Sequence, residues 1–596
     1  MCIRDRITPH YLLQNNEQYA NEPALSFKDK NGELITDTWS DYYQFVMGIS
    51  KSLIAYGFKP GDKGSIYSYN RKEWFGCYSA LQMVNGVAVA VYHTSSPSEV
   101  EWVVANSGSR IVFIGNNPND NGEKEKMPIH RLHSVIKNLD SVELIVIMDG
   151  VEKIDHENVV TWDEFIEKGE KQTDNDVLNT KNKIELEDSC SLIYTSGTTG
   201  NPKGVELTHN NFKFQLDSAL QVMAFHQGEK YVSWLPLAHV FGQLIDNHYW
   251  VRRALHMTIV DSPLNTIDYA KEVQPHLFIS VPRIYEKVYA NLIAAIESKA
   301  ILKIGLKIPG LSSLLKKKLK AAAGFSNTRF AISGAAPINP EILELFQQLG
   351  IPLFEGYGMT ENTAGATLNY HGNNKIGSVG KAIVDTEIKI ASDGEVLIRG
   401  DHVMKGYYKN QEATDETIID GWLHTGDVGE IDSNGYLSIT GRMKEIYVSS
   451  SGKNVAPLVI EETMKSIPLV SQCFLVGDGR KFCSALLTLD MGIILRDKLS
   501  VDPNDIPKDP IKQNQMIIDK GSSLSAFTDN VELFNEIKEQ VDEMNLRFSS
   551  PEQVKKFTIL PRDFSIDDGE LTPTLKIRRK IINENWAEEI EKMYSS

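Results

Sequence analysis

Cysteine is scarce: five residues in 596 (Cys2, Cys77, Cys190, Cys473 and Cys483), scattered and odd in number. No Cys-x-x-Cys pair and no Cys/His cluster occurs, so neither a disulfide scaffold nor a zinc site is expected, and a reduced, cytoplasmic compartment follows. Absent too is any run of about 18 apolar residues, so no membrane-spanning helix is expected. The segment after Arg4 and Arg6 turns polar through residues 14–18 and lacks a signal-peptide core. An ordered pattern starts almost at once, which leaves Met1 in question as the natural start. Basic residues are outnumbered, 62 Lys and Arg against 79 Asp and Glu, for a net charge of −17. That balance argues against a nucleic-acid partner. No internal repeat or low-complexity tract is visible.

What is present is enough apolar material for a large core: 41% hydrophobic and 24% charged residues. Disorder throughout is excluded. Residues 39–57 read as an amphipathic helix, 63–68 as a strand, 74–85 as a helix, 86–91 as a buried strand, 98–107 as a helix and 110–114 as a strand. Further strands are expected at 144–148, 191–194, 231–235 and 278–281. Strand–helix alternation at this spacing predicts an α/β fold, a mainly parallel sheet covered on both faces. Beyond about Gly377, short alternating segments punctuated by Asp393-Gly394 and Asn434-Gly435 predict a small antiparallel β unit. A compact α+β stretch follows Arg442. The expected division is therefore a large N-terminal domain, residues 1–441, and a smaller C-terminal domain, 442–596.

The sharpest local signal is the segment from Tyr194 to Gly204, Tyr-Thr-Ser-Gly-Thr-Thr-Gly-Asn-Pro-Lys-Gly, between an apolar strand and a helical pattern beginning near His209. Gly197, Gly200 and Gly204 let backbone N–H groups approach a phosphate closely. Thr195, Ser196, Thr198 and Thr199 add hydroxyl donors, and Lys203 adds positive charge. No Gly-Lys-Ser/Thr follows at P-loop distance. The alternative, a flexible linker, rarely carries Pro-Lys-Gly between a strand and a helix.

This loop resembles the signature of the adenylate-forming (AMP-binding) enzymes, which include acyl-CoA synthetases, luciferases and peptide-synthetase adenylation domains. Other motifs similar to that family's appear in order over nearly the whole chain. They are Leu235-Pro-Leu-Ala-His239, Val281-Pro-Arg283, Ser333-Gly-Ala-Ala-Pro337, Glu355-Gly-Tyr-Gly-Met-Thr-Glu361, Trp422-Leu-His-Thr-Gly-Asp427, Ile439-Thr-Gly-Arg442-Met-Lys444 and Pro573-Thr-Leu-Lys576. The closest resemblance is to long-chain fatty acid–CoA ligases of the bubblegum-like branch. It rests on Asn70-Arg-Lys-Glu-Trp74, Tyr92-His-Thr-Ser-Ser-Pro97, Gly479-Arg-Lys-Phe482 and the stretch from Ile559 to Pro573.

The resemblance implies a mobile C-terminal lid domain and ATP, Mg²⁺ and CoA as cofactor and co-substrates. The loop Thr195–Gly200 with Lys203 would hold the phosphates, and Thr195 and Glu361 the metal. Gly334, Ala335, Ala336, Glu355, Gly356, Tyr357, Gly358, Met359, Thr360 and Ile439 would surround the adenylate, with Tyr357 against adenine and Thr360 at the α-phosphate. Asp427 and Arg442 would take the ribose. His239, Phe241, Gly242 and Gly334 would line the acyl pocket, His239 where carboxylate, phosphate and thiol converge. Lys576 would be the cation joining two anions. Lys444 would be the hinge, and Ser450, Ser451, Gly452 and Lys453 the CoA loop. For each, a plain turn, solvated or core role is the competing reading.

The expected activity is fatty acid + ATP + CoA giving acyl-CoA, AMP and pyrophosphate. The rivals are a ligase that loads a carrier protein and a non-catalytic sensor on the same fold. Oligomeric state and chain length are not legible. Residues 302–324 are rich in Leu, Ile and Ala, carry six lysines and no acid. They would suit either the inner surface of an anionic membrane or a solvated helix face. Residues 499–549 are extra length without an expected role.

Overall fold

The computed structural model describes residues 6–595 except 30, 117–126, 196–200, 298–299, 307, 309, 449–453, 504, 567 and 573–575. Two mainly parallel sheets build the large N-terminal domain. The first runs in spatial order through Leu353–Tyr357, Phe330–Ser333, Leu277–Ser280, Lys230–Ser233, His256–Ile259 and Pro23–Lys28, all parallel. The second runs through Ser189–Thr195, Val87–Val91, Lys63–Tyr67, Ile111–Ile114, Leu144–Ile147 and Val159–Thr161, again parallel. Val87–Val91 is buried at every position, as a central strand covered on both faces must be.

Between the sheets lies a core centred on aromatic side chains. Trp39 and Trp250 are wholly buried and stack with ring centroids 5.1 Å apart. The helix Trp39–Ala55 starts where Thr38 Oγ1 accepts from the Asp41 N–H at 3.2 Å while Asp41 Oδ2 accepts from the Thr38 N–H at 2.9 Å. This reciprocal cap satisfies donors the first turn would otherwise leave free. The expected antiparallel unit is a sheet containing Glu387–Ile390, Glu395–Arg399, Trp422–Ile431 and Leu437–Arg442.

The smaller C-terminal domain has a sheet of Val470–Val476, Cys483–Leu489 and Val554–Ile559. Residues 499–549 are part of its core. Leu533, Ile537 and Val541 recur at helical spacing on Val531–Asn545 and pack with Ile517 and Phe527 into that core. The same segment reaches the large domain, where Arg547 pairs with Glu341 at 3.0 Å and Lys508 pairs with Asp268.

One local feature differs from the sequence expectation, and two more add detail to it. The glycine-rich segment closes a β-hairpin, because Lys203–Thr208 is a strand antiparallel to Ser189–Thr195 before the helix His209–Val222 begins. Its alternation of Val205 and Leu207 with polar neighbours was hidden by the glycines before it. Residues 302–324 divide into the helices Ala300–Gly305 and Leu311–Ala322, with Gly310 at φ +85° between them. Gln243–Tyr249 is a π-helix continuing Val240–Gly242, a form without a periodicity signature in so short a run.

Within the small domain, Glu461 is 3% exposed and accepts from the Arg579 guanidinium at 2.5 Å and the Leu475 N–H at 2.6 Å. Removing the cation leaves a buried carboxylate unpaired. Arg579→Ala should therefore destabilise this domain by about 3 kcal/mol. Amide exchange across residues 457–489 would report it; unchanged protection refutes the assignment.

Candidate active site

The C-terminal ends of parallel strands from both sheets converge on one cavity of about 820 Å³, the edge where open α/β sheets present loops to ligands. Thr195 ends one such strand, Gly334–Ala336 follow another, and Glu355, Gly356 and Tyr357 end a third. His239 sits on the loop after Lys230–Ser233. The small domain supplies Lys576, and Arg442, Lys444 and Glu445 line the junction.

Asp427 and Arg442 face each other because they are cross-strand partners. Arg442 Nε donates to Asp427 Oδ1 at 2.9 Å, and the Tyr357 hydroxyl donates to Oδ2 at 2.6 Å. Both oxygens of a 4% exposed carboxylate are thus engaged, and the Tyr357 ring is fixed as a flat wall. Burial, then the Asp427 charge, pushes the Tyr357 phenol well above its ordinary range. Burial opposes the Arg442 charge, but Asp427, Glu445 and Tyr357 outweigh it and raise its pKa.

Glu361 lies in the single helical turn Thr360–Asn362, 8% exposed, and accepts from the Tyr407 hydroxyl at 2.8 Å. The Lys203 ammonium lies 4.7 Å from the Tyr407 ring centroid, within cation–π reach. Thr195 and Lys203 are hairpin partners, so the strand pairing delivers hydroxyl and cation together. The loop here is sterically exacting. A Cβ on Gly358 would sit 2.1 Å from the Ala364 carbonyl oxygen. Ala335, Thr363 and Ala364 adopt φ of +71°, +55° and +81°, a left-handed conformation that non-glycine residues adopt at a cost.

His239 caps the short helix Val240–Gly242, its Nδ1 accepting from the Phe241 N–H at 3.3 Å. That bond places the ring proton on Nε2. Burial first, then the Lys576 charge, lowers the imidazole pKa to about 3, so the ring is neutral at physiological pH. Lys576 is anchored by its own N–H to Thr572 Oγ1 at 3.0 Å and by the adjacent Leu571–Ile577 bridge. Two residues on, Arg578 pairs with Glu99 of the large domain at 3.0 Å. Lys576 is walled in by protein yet open to the cavity's own space. Desolvation, then Arg442, lowers its pKa, while Asp427, Glu361 and Glu445 pull the other way.

The structure thus brings together Thr195, Lys203, His239, Phe241, Gly334–Ala336, Glu355–Glu361, Asp427, Ile439, Arg442, Lys444 and Lys576 around one space. Gly242 is not among the lining residues; a Cβ there would meet the Pro236 carbonyl oxygen at 2.8 Å, so its smallness serves a turn. Ser196, Gly197, Thr198, Thr199 and Gly200, and Ser450, Ser451, Gly452 and Lys453, lie outside the described residues. Sequence reasoning missed Tyr407, which reaches the site by pairing with Val205. It also gave Arg283 no role. Here Arg283 binds Asp490 of the small domain at 3.1 Å.

Two carboxyls near the site are buried, Glu355 on the cavity wall and Asp246 on the π-helix Gln243–Tyr249. Burial raises Glu355 from an ordinary 4.5 to about 7 and Asp246 from 3.8 to about 8. Asp246 accepts from the Ser233 hydroxyl at 2.6 Å. Both bind a proton more tightly folded than unfolded, so their contribution is full below about pH 4 and is lost as pH rises through about 7 to 8. Thermal midpoints should fall across that window, and Glu355→Gln with Asp246→Asn should flatten the fall. An unaltered profile in the double variant refutes this.

The family described as AMP-binding enzyme matches residues 12–408, and that described as AMP-binding enzyme C-terminal domain matches 444–500. A long-chain-fatty-acid–CoA ligase, FadD15 of Mycobacterium tuberculosis, is 33% identical over 600 residues covering 94% of each chain. Another so named, ACSBG2 of Gallus gallus, is 30% identical, covering 99% of this chain and 81% of that one. Among solved structures, the anthranilate CoA ligase AuaEII in complex with anthranoyl-AMP superposes with a TM-score of 0.72 at 18% identity, covering 99% and 98%. The adenylation domain of a carboxylate reductase from Mycobacterium chelonae gives 0.76 at 17% identity, covering 99% and 91%. With two thirds of its length matched by the first profile and relatives of this identity spanning nearly all of it, the chain belongs to the AMP-binding enzyme family.

Proposed function

We propose that this chain is an ATP-dependent long-chain fatty acid–CoA ligase acting through an acyl-adenylate, with domains meeting at 441/442. The observation that carries the reading is the ammonium of Lys576, from the small domain, in the same cavity as Lys203, Glu361 and the Asp427–Arg442 pair. That cavity continues into a chamber walled by Leu216, Val222, Leu244 and Ile245, where an alkyl chain gains about 0.8 kcal/mol per buried methylene.

In the first half-reaction the fatty carboxylate attacks the α-phosphorus of ATP and the bond to pyrophosphate breaks. Two anions must approach, and Lys576 and Lys203 lower the repulsion between them. Tyr357 packs on the adenine, and the ribose hydroxyls bind at Asp427 by sharing its oxygens with Tyr357 and Arg442. Neutral His239 donates from Nε2 to the carboxylate oxygen that stays with the carbonyl. Glu361, with one oxygen held by Tyr407, keeps the other for Mg²⁺, with Thr195 beside it; bound there, the ion would offset phosphate charge. In the second half-reaction the CoA thiolate attacks the acyl carbonyl and AMP leaves. Rotation about Lys444 would withdraw Lys576 and bring Ser450–Lys453 to the site.

Membrane contact extends the same reading. Ile304, Ile308, Leu311 and Leu314 are 62%, 45%, 39% and 52% exposed, beside the exposed Lys317 and Lys318, while Leu315 and Leu319 face the core. No helix among the described residues is long and apolar enough to cross a bilayer. The basic apolar face suits an anionic surface from which long-chain acids are drawn.

Lys576→Ala should cut fatty-acid-dependent pyrophosphate release by about 100- to 1000-fold while leaving thioester formation from supplied acyl-adenylate nearly intact. Equal loss of both steps, or a carrier protein replacing CoA as acceptor in the wild type, overturns the assignment. Replacing Lys316, Lys317 and Lys318 with Gln should weaken binding to anionic vesicles, read by flotation; unchanged flotation retires the membrane contact.

A further inference from the structure

Two helical walls leave the reaction centre in the same direction. One is His209–Val222, with Gln215, Ala219 and, just past its end, Met223 on the cavity side. The other is Val240–Gly242 with its π-helical continuation to Tyr249, lined by Phe241, Ile245 and Tyr249. Their near ends are fixed to catalytic elements. Gln215 Nε2 donates to the carbonyls of Asn362 at 3.0 Å and Gly365 at 2.6 Å, flanking the Glu361 turn, and His239 caps the second wall.

Their far ends are fixed to each other. The Tyr249 hydroxyl donates to the Met223 carbonyl at 2.6 Å. Tyr249 is wholly buried and Met223 is 4% exposed, so the void closes against them. Behind this pair the chemistry changes. The Phe225 ring stands edge-on to Tyr249 with centroids 6.4 Å apart, and the Arg329 guanidinium covers Phe225 at 4.9 Å. Arg253 Nε donates to the Phe225 carbonyl at 2.8 Å, and Arg329 pairs with Glu229. A hydrocarbon tail pushed past the pair would have to desolvate these charges.

We infer that Met223 and Tyr249 form the floor of the acyl chamber and set the longest chain the enzyme takes straight; this rests on the ligase reading above.

The test is a panel of saturated acids from hexanoic to docosanoic, with full-length enzyme, ATP and CoA, read as acyl-CoA by mass spectrometry. Wild-type kcat/KM should rise about fourfold per methylene to the limit and then fall. Met223→Ala and Tyr249→Ala should move the fall to longer acids by about two to three carbons, as the cavity left by truncation allows. Ala219→Phe, part-way along the wall, should move it to shorter ones. Tyr249→Phe, which keeps the ring, should leave it in place. An unmoved limit in both Met223→Ala and Ala219→Phe overturns the floor, whether or not Tyr249→Ala folds. Should the wild type form no acyl-CoA from any acid, the ligase reading fails. Chain-length dependence of fatty-acid binding, read by thermal shift in the same variants, still decides the floor.

Discussion

One electrostatic arrangement organises the cavity: Lys576, carried by the small domain, stands among the charges of the large one, Asp427 and Glu361 foremost. Left in water, the Lys576 ammonium would be screened, and in the proposed reaction it would do little to hold two anions together. Enclosed by protein, it costs desolvation energy, and its pKa falls accordingly. Asp427, Glu361 and Glu445 offset part of that cost, so the carboxylates that line the cavity also favour the charged lysine. Arg442 and Lys576 repel, and Asp427 lies between them in charge, tied to the first and attracting the second.

The scaffold serves this arrangement by strand register. Thr195 opposite Lys203, Asp427 opposite Arg442 and Tyr407 opposite Val205 are pairings in which hydrogen-bonded backbones set which side chains stand side by side. The exceptions are the bends. Ala335, Thr363 and Ala364 hold left-handed backbone without being glycine, and Gly358 has no room for any side chain. Strain collected in these loops is sustained by the rigid sheets beneath them.

Much of this was legible in the chain. Strands such as Val87–Val91 and Glu387–Ile390 were readable because their burial follows directly from apolar or alternating pattern. The ordered motifs pointed to the residues that converge on the cavity, because a motif is a local record of local geometry. What stayed hidden depends on distance in the chain. Tyr407 meets Glu361 across 46 positions, Arg283 meets Asp490 across 207, and the packing of 499–549 onto the small domain's core depends on strands on either side of it. Periodicity shows that Leu533, Ile537 and Val541 share a face, but not what covers it. The hairpin strand Lys203–Thr208 was lost for a related reason: a glycine-rich stretch dominates any window that includes it.

One consequence lies in the seam between the domains. Of the ion pairs that cross it, Arg283–Asp490 and Arg578–Glu99 are about a quarter to a third exposed, while Arg547–Glu341 and Lys508–Asp268 have side chains about half exposed, the class of contact worth least in solution. A seam stitched with strong, dry bonds would freeze the molecule in a single posture. Where it is stitched with wet and replaceable ones, the two postures of the proposed rotation would lie closer in free energy, and loading or unloading the cleft would tip the balance. The weakness of these contacts is what would let a cycle repeat.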